Sequence, residues 1–352
     1  MTVIVKRSLN SERKESKIMK FITIGELLMR LSPPDYEKIR TTSSYVVNFG
    51  GAEANVAVSL ANLGVDTTVF TVLPDNDIGR SAVRSLKAND VHTSPIIFGG
   101  ERMGVYFLEE GIGVRSSKVI YDRKHSAFAE YDYTTVDFKA LLEGYDWLHL
   151  SGITPALSNS CQILIEAAIY AARQLGMTIS FDCNYRSMLW SFDEARDIIS
   201  RYLPYVLIGI EPLHLQDENG HDLKDGMSMQ PDYEEQDRVF QAMADRYHFK
   251  AIARHVRYTH SSSENSLKAY LYYNGQTYES KLFRFQILDR VGGGDAFSSG
   301  LIYALMNNYK PRDVVNFAVA SSVMKHSIHG DTNITDVESI QRLMNQSFDV
   351  QR

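Results

Sequence analysis

Three consecutive glycines stand directly before an acid in the stretch LDRVGGGDAFSSGLIYAL (288–305). The residues after the acid have the apolar spacing of an amphipathic helix. Glycines let a backbone approach a ligand closely, and N–H groups at a helix start bind anions. We therefore predict that Gly292, Gly293 and Gly294 bind a phosphoryl group. Asp295 would repel that group unless it served as a general base for an attacking hydroxyl. The alternative is a tight turn in which Asp295 only caps the helix.

Around this stretch, short apolar runs alternate with longer segments of helical spacing. KFITIG (20–25), DWLHLSG (146–152) and MTISFD (177–182) are typical of buried strands. AEANVAVSLANLG (52–64) and SNSCQILIEAAIYAARQLG (158–176) are typical of helices. This alternation predicts an α/β fold with a mostly parallel central sheet covered on both faces. Ligands of such sheets bind at the C-terminal ends of the strands.

Two stretches interrupt the alternation with strands and turns but no helix, at 36–50 and 96–123. We expect them to form a small β-sheet lid over the cleft, with lid strands within about 29–49 and 95–123. A long decorated loop is the alternative.

Composition and charge exclude several classes of protein. The net charge of −6 and the lack of a basic stripe beyond the first 20 residues argue against a nucleic-acid partner. No apolar stretch reaches the ~18 residues needed to cross a bilayer, so no membrane partner is expected. Two cysteines are too few for a disulfide framework, and a cytoplasmic location is expected. We expect residues 1–18 to be a disordered extension and 19–352 to be one domain.

Two glycine-rich segments resemble signatures of one enzyme family. DRVGGGDAFSSG (289–300) resembles the C-terminal D-T-x-G-A-G-D signature of ribokinase-like (PfkB) sugar kinases. NFGGAEANVAVSLANLG (48–64) is similar to their N-terminal sugar-binding segment. Two signatures in this order favour a kinase over a simple helix cap. The resemblance implies a ribokinase-like three-layer sandwich with a small β-sheet lid, from about residue 20 to the end.

Three further stretches are similar to those of 2-keto-3-deoxygluconate kinases, namely VIYDRKHSA (119–127), FDCNYRSMLW (181–190) and HGDTNI (329–334). The implied reaction is ATP-dependent phosphorylation of the C6 hydroxyl of 2-dehydro-3-deoxy-D-gluconate. Mg²⁺ would bridge the phosphates of ATP. The resemblance also implies a homodimer or larger oligomer formed through the lid, because an exposed β layer tends to be covered.

The resemblance further implies which residues contact the substrates. For the sugar acid they are Gly51, Asn55, Tyr106, Tyr121, Arg123, Arg186 and Asp331, and for ATP they are Asn184, Arg186 and Ser322. Arg123 would bind the substrate carboxylate, since a planar guanidinium suits that group. The alternatives are a solvated surface charge for Arg123, lid packing for the tyrosines, a tolerated helix residue for Asn55 and a turn for Asp331.

The glycine segment itself departs from the family pattern, with Arg290 and Gly293 where the family has Thr and Ala. Arg290 would either add charge near the phosphates or point to solvent. The segment 254–272 is longer and more polar than the family's glycine turn beside the nucleotide. The residues that would bind the adenine of ATP are therefore left unassigned.

A second departure concerns magnesium. In the family, the strand at 205–210 should lead into an N-x-x-E motif that is linked to magnesium binding. Here Ile210 stands in place of the Asn and Leu213 in place of the Glu, and Glu211 lies two positions before the expected Glu. No metal ligand is therefore assigned. A fructokinase-like enzyme and a non-catalytic sugar-binding relative remain as alternatives. A dinucleotide oxidoreductase is disfavoured because the glycine-rich turns lie in the wrong context.

Overall fold

The computed structural model describes residues 19–212 and 230–345. The predicted extension over residues 1–18 and the position of Leu213 lie outside the described residues.

Strands and helices alternate through most of the described chain. The strands are β1 (Lys20–Ile24), β2 (Leu28–Ser32), β3 (Val46–Gly50), β4 (Asp66–Phe70), β5 (Val72–Leu73), β6 (Ile97–Phe98), β7 (Val105–Glu109), β8 (Lys118–Asp122), β9 (Trp147–Ser151), β10 (Thr178–Asp182), β11 (Ile208–Ile210), β12 (Ala251–Thr259), β13 (Glu264–Tyr273), β14 (Gln276–Glu279) and β15 (Phe283–Gln286). The α-helices are α1 (Ala52–Asn62), α2 (Asp77–Lys87), α3 (Ala127–Glu130), α4 (Phe138–Leu142), α5 (Asn159–Gln174), α6 (Phe192–Tyr202), α7 (Tyr233–Tyr247), α8 (Gly293–Met306), α9 (Pro311–Lys325) and α10 (Val337–Met344).

The central sheet has nine strands within the described residues, in the order β14–β13–β12–β11–β10–β9–β1–β4, with β15 also paired to β13. The pairs from β4 to β12 are parallel, and those beyond β12 are antiparallel. The predicted mostly parallel sheet is thus confirmed. The polar segment 254–272 forms a long antiparallel hairpin of β12 and β13 that extends this sheet.

Helices cover both faces of the central sheet. Because successive side chains of a strand point to opposite faces, Phe21 packs in one hydrophobic cluster and Ile22 in the other. The first cluster contains residues of α1, α8, α9 and α10, and the second contains residues of α5, α6 and α7. The result is the three-layer arrangement that the alternation predicts.

The lid is a separate four-stranded sheet in the order β3–β2–β7–β8. Strands β2 and β7 are parallel, and the two outer pairs are antiparallel. Strands β3, β7 and β8 come from the two stretches that the sequence marks as irregular, and β2 lies just before the first of them. Strand β6 pairs with β5 in a small sheet of its own. In the parts of the chain that the structure describes, no helix is both long and apolar enough to span a membrane.

Candidate active site

A cavity of about 570 Å³ lies between the lid and the C-terminal ends of the parallel strands. The predicted site residues that line it are Gly51, Asn55, Tyr106, Tyr121, Arg123, Asn184, Arg186, Gly292, Gly293, Gly294, Asp295 and Asp331. The cavity wall also contains charged residues that the sequence analysis did not select as site residues, namely Glu26, Glu53, Asp182, Glu211, His255, Arg257 and Arg290. The structure therefore brings together segments that are up to 305 positions apart (Glu26 to Asp331).

The three glycines of the turn, Gly292 to Gly294, differ in what surrounds the position of a Cβ atom. Gly292 has a φ of +79°, which favours glycine, and a Cβ there would overlap the carbonyl of Asp331. A Cβ on Gly293 would lie 2.5 Å from Cε1 of His326. A Cβ on Gly294 would meet no heavy atom within 4 Å. The first two glycines thus allow close packing, and the third leaves the start of α8 open to the cavity.

Asp295 lies in the first turn of α8, and its carboxylate is bonded across the cavity floor. Its Oδ2 accepts a hydrogen bond from Nδ2 of Asn55 on α1 at 2.7 Å. Burial, together with the charges of Glu53 and Asp331, raises the pKa of Asp295 to about 6, although Asn55 and Arg186 oppose the shift. A carboxyl whose pKa is near neutrality suits a general base, and the bond to another helix argues against a role as a cap only.

Ser322 on α9 is fully buried beneath the glycine turn. Its hydroxyl donates to the carbonyl of Gly293 at 2.8 Å, and its own carbonyl lies 2.7 Å from Nδ1 of His326. The structure therefore places Ser322 under the turn and not among the residues that line the cavity.

Arg123 at the end of the lid is paired with a buried acid. Nε of Arg123 donates to Oε2 of Glu26 at 2.9 Å, and Nη2 contacts the same oxygen. The hydroxyl of Ser126 donates to Oε1 of Glu26 at 2.5 Å. Glu26 thus balances the charge of Arg123 and fixes its orientation, and Arg123 is not the solvated surface charge of the alternative interpretation.

Arg30, on lid strand β2, is only 1% exposed and connects the lid to the glycine turn. Its Nη2 lies 2.8 Å from Asp289 and 2.9 Å from Glu110, and its Nη1 lies 3.2 Å from Asp331. The hydroxyl of Tyr106 donates to Oδ1 of Asp331. Burial raises the pKa of Asp331, although Arg30 and Tyr106 oppose the shift. Asp331 is therefore held firmly at the cavity wall.

Asn184 and Arg186 follow strand β10 and also line the cavity. Asn184 has a φ of +40°, and its backbone N–H donates to Oδ1 of Asp182 at 3.0 Å. Arg186 is exposed, with Nη1 donating to the carbonyl of Tyr185 at 3.2 Å.

Two carboxylates at the strand ends could hold a magnesium ion through water. Burial raises the pKa of Asp182 to about 8, and the charges of Glu211 and Asp295 add to this. Burial also disfavours the charge of Glu211, but His255 lowers the pKa of this carboxyl overall. Oε1 of Glu211 accepts the backbone N–H of His255 at 2.7 Å. Glu211 thus reaches the cavity despite its shifted position, whereas Ile210 is fully buried.

Another potential metal-binding group in the described parts of the chain consists of Glu110, Asp289 and His329, whose ligand atoms lie within 4.8 Å of one another. Both of its carboxylates already pair with Arg30. The positive charge of the Arg30 guanidinium therefore already balances these two carboxylates, which reduces their attraction for a metal cation.

The chain resembles several characterised kinases along most of its length. A crystal structure of 2-dehydro-3-deoxygluconokinase from Thermotoga maritima is 37% identical, with a TM-score of 0.87 and coverage of 93% of this chain and 99% of that one. The 2-dehydro-3-deoxygalactonokinase of Haloferax volcanii is 29% identical over 92% of this chain and 96% of its own. The 2-dehydro-3-deoxygluconokinase of Thermoproteus tenax is 26% identical over 89% of this chain and 90% of its own.

The ribokinase-like fold that the resemblance implies is confirmed by the Thermotoga maritima structure and by a crystal structure of a putative ribokinase II from E. coli, which matches with a TM-score of 0.75 at 17% identity. The model of the pfkB family carbohydrate kinases matches residues 19–337, which include both glycine-rich signatures and the whole cavity wall. The chain therefore belongs to the pfkB family of carbohydrate kinases.

Proposed function

We propose that this protein transfers the γ-phosphoryl group of ATP to the C6 hydroxyl of 2-dehydro-3-deoxy-D-gluconate. The observation that carries the proposal is that Asp295, with a pKa of about 6, directly follows a three-glycine turn whose last glycine leaves the start of α8 open to the cavity. Relatives that act on 2-keto-3-deoxy sugar acids support this class of substrate. The reaction gives the 6-phosphorylated sugar acid and ADP.

Asp295 would accept the proton of the C6 hydroxyl while the oxygen of that hydroxyl attacks the γ-phosphorus of ATP. The bond between the γ-phosphorus and the bridging β-phosphate oxygen breaks, and ADP leaves. Its raised pKa is close enough to neutrality for efficient proton transfer, and a placed base contributes about 10²–10⁴ in rate. Asn55 holds one carboxylate oxygen at 2.7 Å, so Oδ1 is left to face the hydroxyl.

The backbone amides of Gly292, Gly293 and Gly294 would stabilise the charge on the transferring group. Each well-placed donor is worth about 10²–10³ in rate. Because Gly294 has open space where a Cβ would stand, the phosphoryl group could approach this turn closely. Ser322, which supports the carbonyl of Gly293 from below, would act through the turn.

Magnesium, when bound, neutralises charge on the phosphates of ATP. Asp182 and Glu211 fit it chemically, since Mg²⁺ prefers oxygen ligands and retains much of its water. The pKa of about 8 for Asp182 reflects its burial beside the charges of Glu211 and Asp295, which Arg186 and Ser298 offset only in part, so a bound cation would stabilise the charged form. We expect Asp182→Asn to raise the magnesium concentration needed for half-maximal rate. An unchanged magnesium dependence would exclude Asp182 from this role.

For the carboxylate of the sugar acid, Arg123 is the proposed partner. Glu26 engages its Nε and Nη2, so Nη1 stays available within the described residues. Arg123→Gln should raise KM for the sugar acid at least about tenfold, since hydrogen bonds to charged groups contribute about 1.5–3 kcal/mol, and leave KM for ATP unchanged. Arg102→Gln is the matched control, because Arg102 is also at the lid but pairs with Asp122 on its outer edge.

The test of the reaction itself is ADP release with Mg-ATP and a panel of acceptors. The panel contains 2-dehydro-3-deoxygluconate, its galactonate epimer, gluconate, fructose and ribose, each repeated with Asp295→Asn. We expect turnover on one or both keto-deoxy acids, abolished by the substitution. Turnover on fructose alone would favour a fructokinase-like enzyme, and no turnover would favour a non-catalytic sugar-binding relative.

We also propose that the protein forms a dimer through its lid. Strand pairing puts Val47, Leu31, Phe107 and Ile120 in one apolar row across all four lid strands. Val47 is 50% exposed and Ile120 is 41% exposed. The sedimentation mass should exceed the 39.9 kDa of one chain and fall to that value in Ile120→Glu. A monomeric wild-type protein would contradict this proposal.

A further inference from the structure

Two arginines in the cavity wall form no ion pair with any residue that the structure describes. Arg257 lies on β12, and Arg290 stands two residues before Gly292. The Nε atom of each is buried and makes no hydrogen bond, and within residues 19–212 and 230–345 neither guanidinium forms an ion pair. Both residues are half-buried, and charges that are taken out of water are normally paired. Arg30 and Arg123 in the same region obey this rule, so the two unpaired guanidinium groups require an explanation.

The two arginines are close enough to repel each other. The pKa of Arg257 is lowered by burial and then by the positive charge of Arg290, and only Glu211 opposes this. Glu211 itself is already bound to His255. Two like charges at the wall of one cavity cost stability unless an anion lies between them. The wall is therefore arranged for an anion that the protein does not supply.

The position of the arginines identifies the kind of anion. They line the same cavity as Gly292 and Gly294, whereas the proposed sugar-acid partners Tyr121 and Arg123 belong to the lid side. An anion that begins at the glycine turn and extends past both arginines must carry several negative charges in a row. The polyphosphate of a nucleotide has this form, and arginine binds phosphate oxygens with two parallel hydrogen bonds.

We propose that Arg257 and Arg290 form a clamp for the α- and β-phosphates of the nucleotide. The inference rests on the proposed kinase function and adds two residues to its nucleotide site. It also accounts for two departures from the family pattern. The long hairpin of β12 and β13 carries Arg257 to the cavity, and Arg290 replaces the usual threonine before the glycines.

The direct test is equilibrium binding of ADP and of adenosine to the full chain by calorimetry. Arg257→Gln and Arg290→Gln should each weaken ADP binding about ten- to a hundredfold, as expected for a lost charged hydrogen bond, while adenosine binds unchanged. KM for the sugar acid should not change. Arg84→Gln is the matched control, since Arg84 is an exposed arginine on α2 outside the cavity and its replacement changes the net charge equally.

A second measurement separates binding from folding. Because each substitution removes a repelling charge, the ligand-free variants should melt at a higher temperature than the wild type. The rise in melting temperature that ADP causes should become smaller. A residue with only a structural role would show the reverse, a lower melting temperature without ligand, and that result would overturn the proposal.

Other outcomes are equally decisive. ADP binding equal to that of the wild type in both variants, or no ADP binding by the wild type, would refute the clamp. A raised KM for the sugar acid with unchanged ADP binding would assign the arginines to that substrate instead. If the wild type binds ADP and the variants do not, but none of the sugars in the panel is phosphorylated, the clamp stands and the proposed reaction falls.

Discussion

Replacement of Asn55 by alanine tests whether the hydrogen bond to Asp295 sets the pH range of activity. The bond is 2.7 Å long and favours the charged form of Asp295, whose pKa burial raises to about 6. A hydrogen bond to a charged group is worth about 1.5–3 kcal/mol, and 1.36 kcal/mol corresponds to about one pKa unit. Since water in the cavity would replace part of the bond, we expect the pKa to rise by about one unit.

The assay is kcat/KM as a function of pH, because this ratio reports the free enzyme. A rise of about one unit from a pKa of about 6 lowers the ionised fraction at pH 6.5 from about three quarters to about one quarter. The ratio of the variant's kcat/KM to that of the wild type should therefore be about threefold lower at pH 6.5 than at pH 8.5. Any loss of sugar binding would lower the curve at every pH without moving its midpoint.

The matched control is Asn62→Ala on the same helix. Asn62 donates to the carbonyl of Val58 at 2.9 Å and does not line the cavity, so its removal should leave the midpoint unchanged. If Asn55→Ala had the same acidic midpoint as the wild type, Asp295 would not be the group that titrates, and the reasoning would be wrong.

Four further substitutions test the charges and the glycine turn. The pKa of Asp295 rises from 3.8 to about 6 on folding, so its ionisation destabilises the protein as pH rises through this range. Asp295→Asn should thus be more stable than the wild type above pH 6, by up to about 3 kcal/mol of unfolding free energy. Below about pH 4 the two proteins should be equally stable, as measured by urea unfolding. A difference in stability that does not change with pH would contradict this. Gly293→Ala should destabilise the fold by about 1–3 kcal/mol, because its Cβ would lie 2.5 Å from His326, whereas Gly294→Ala should fold normally but bind ATP poorly. Equal melting temperatures for the two variants would refute the packing argument. Arg30→Met leaves buried acids without their cation and should cost about 3–5 kcal/mol of unfolding free energy; a stability equal to that of the wild type would show that these acids do not need it.

The local features of the site could be predicted from sequence because their causes are local. A glycine run before a helix fixes both the turn and the position of Asp295, and the regular alternation of elements predicts the parallel sheet. The bond between Arg30 and Asp331 joins residues 301 positions apart, and no local pattern indicates it. The same holds for Glu26, a single acid after β1 whose role depends on Arg123 from the lid.

Two further differences between the sequence-based predictions and the structure have specific physical reasons. The polar composition of 254–272 conceals a strand pair, because a polar run lies in the turn at 260–263, whereas most residues of β12 and β13 are buried. Glu211 has a left-handed backbone, with a φ of +47°, and it lines the cavity although it is two positions away from the expected glutamate. Sequence spacing alone cannot show such a change of direction.

The contacts of Arg30 have a consequence for engineering this enzyme. Arg30 belongs to the lid strand β2, yet two of its partners are Asp289, which precedes the glycine turn, and Asp331, whose carbonyl packs against Gly292. The lid surface that we propose to select the sugar and the turn that we propose to bind the phosphoryl group are thus joined through Arg30. A lid transplanted from another kinase to change the sugar would also disturb the turn, unless the arginine and its two acids were transplanted together.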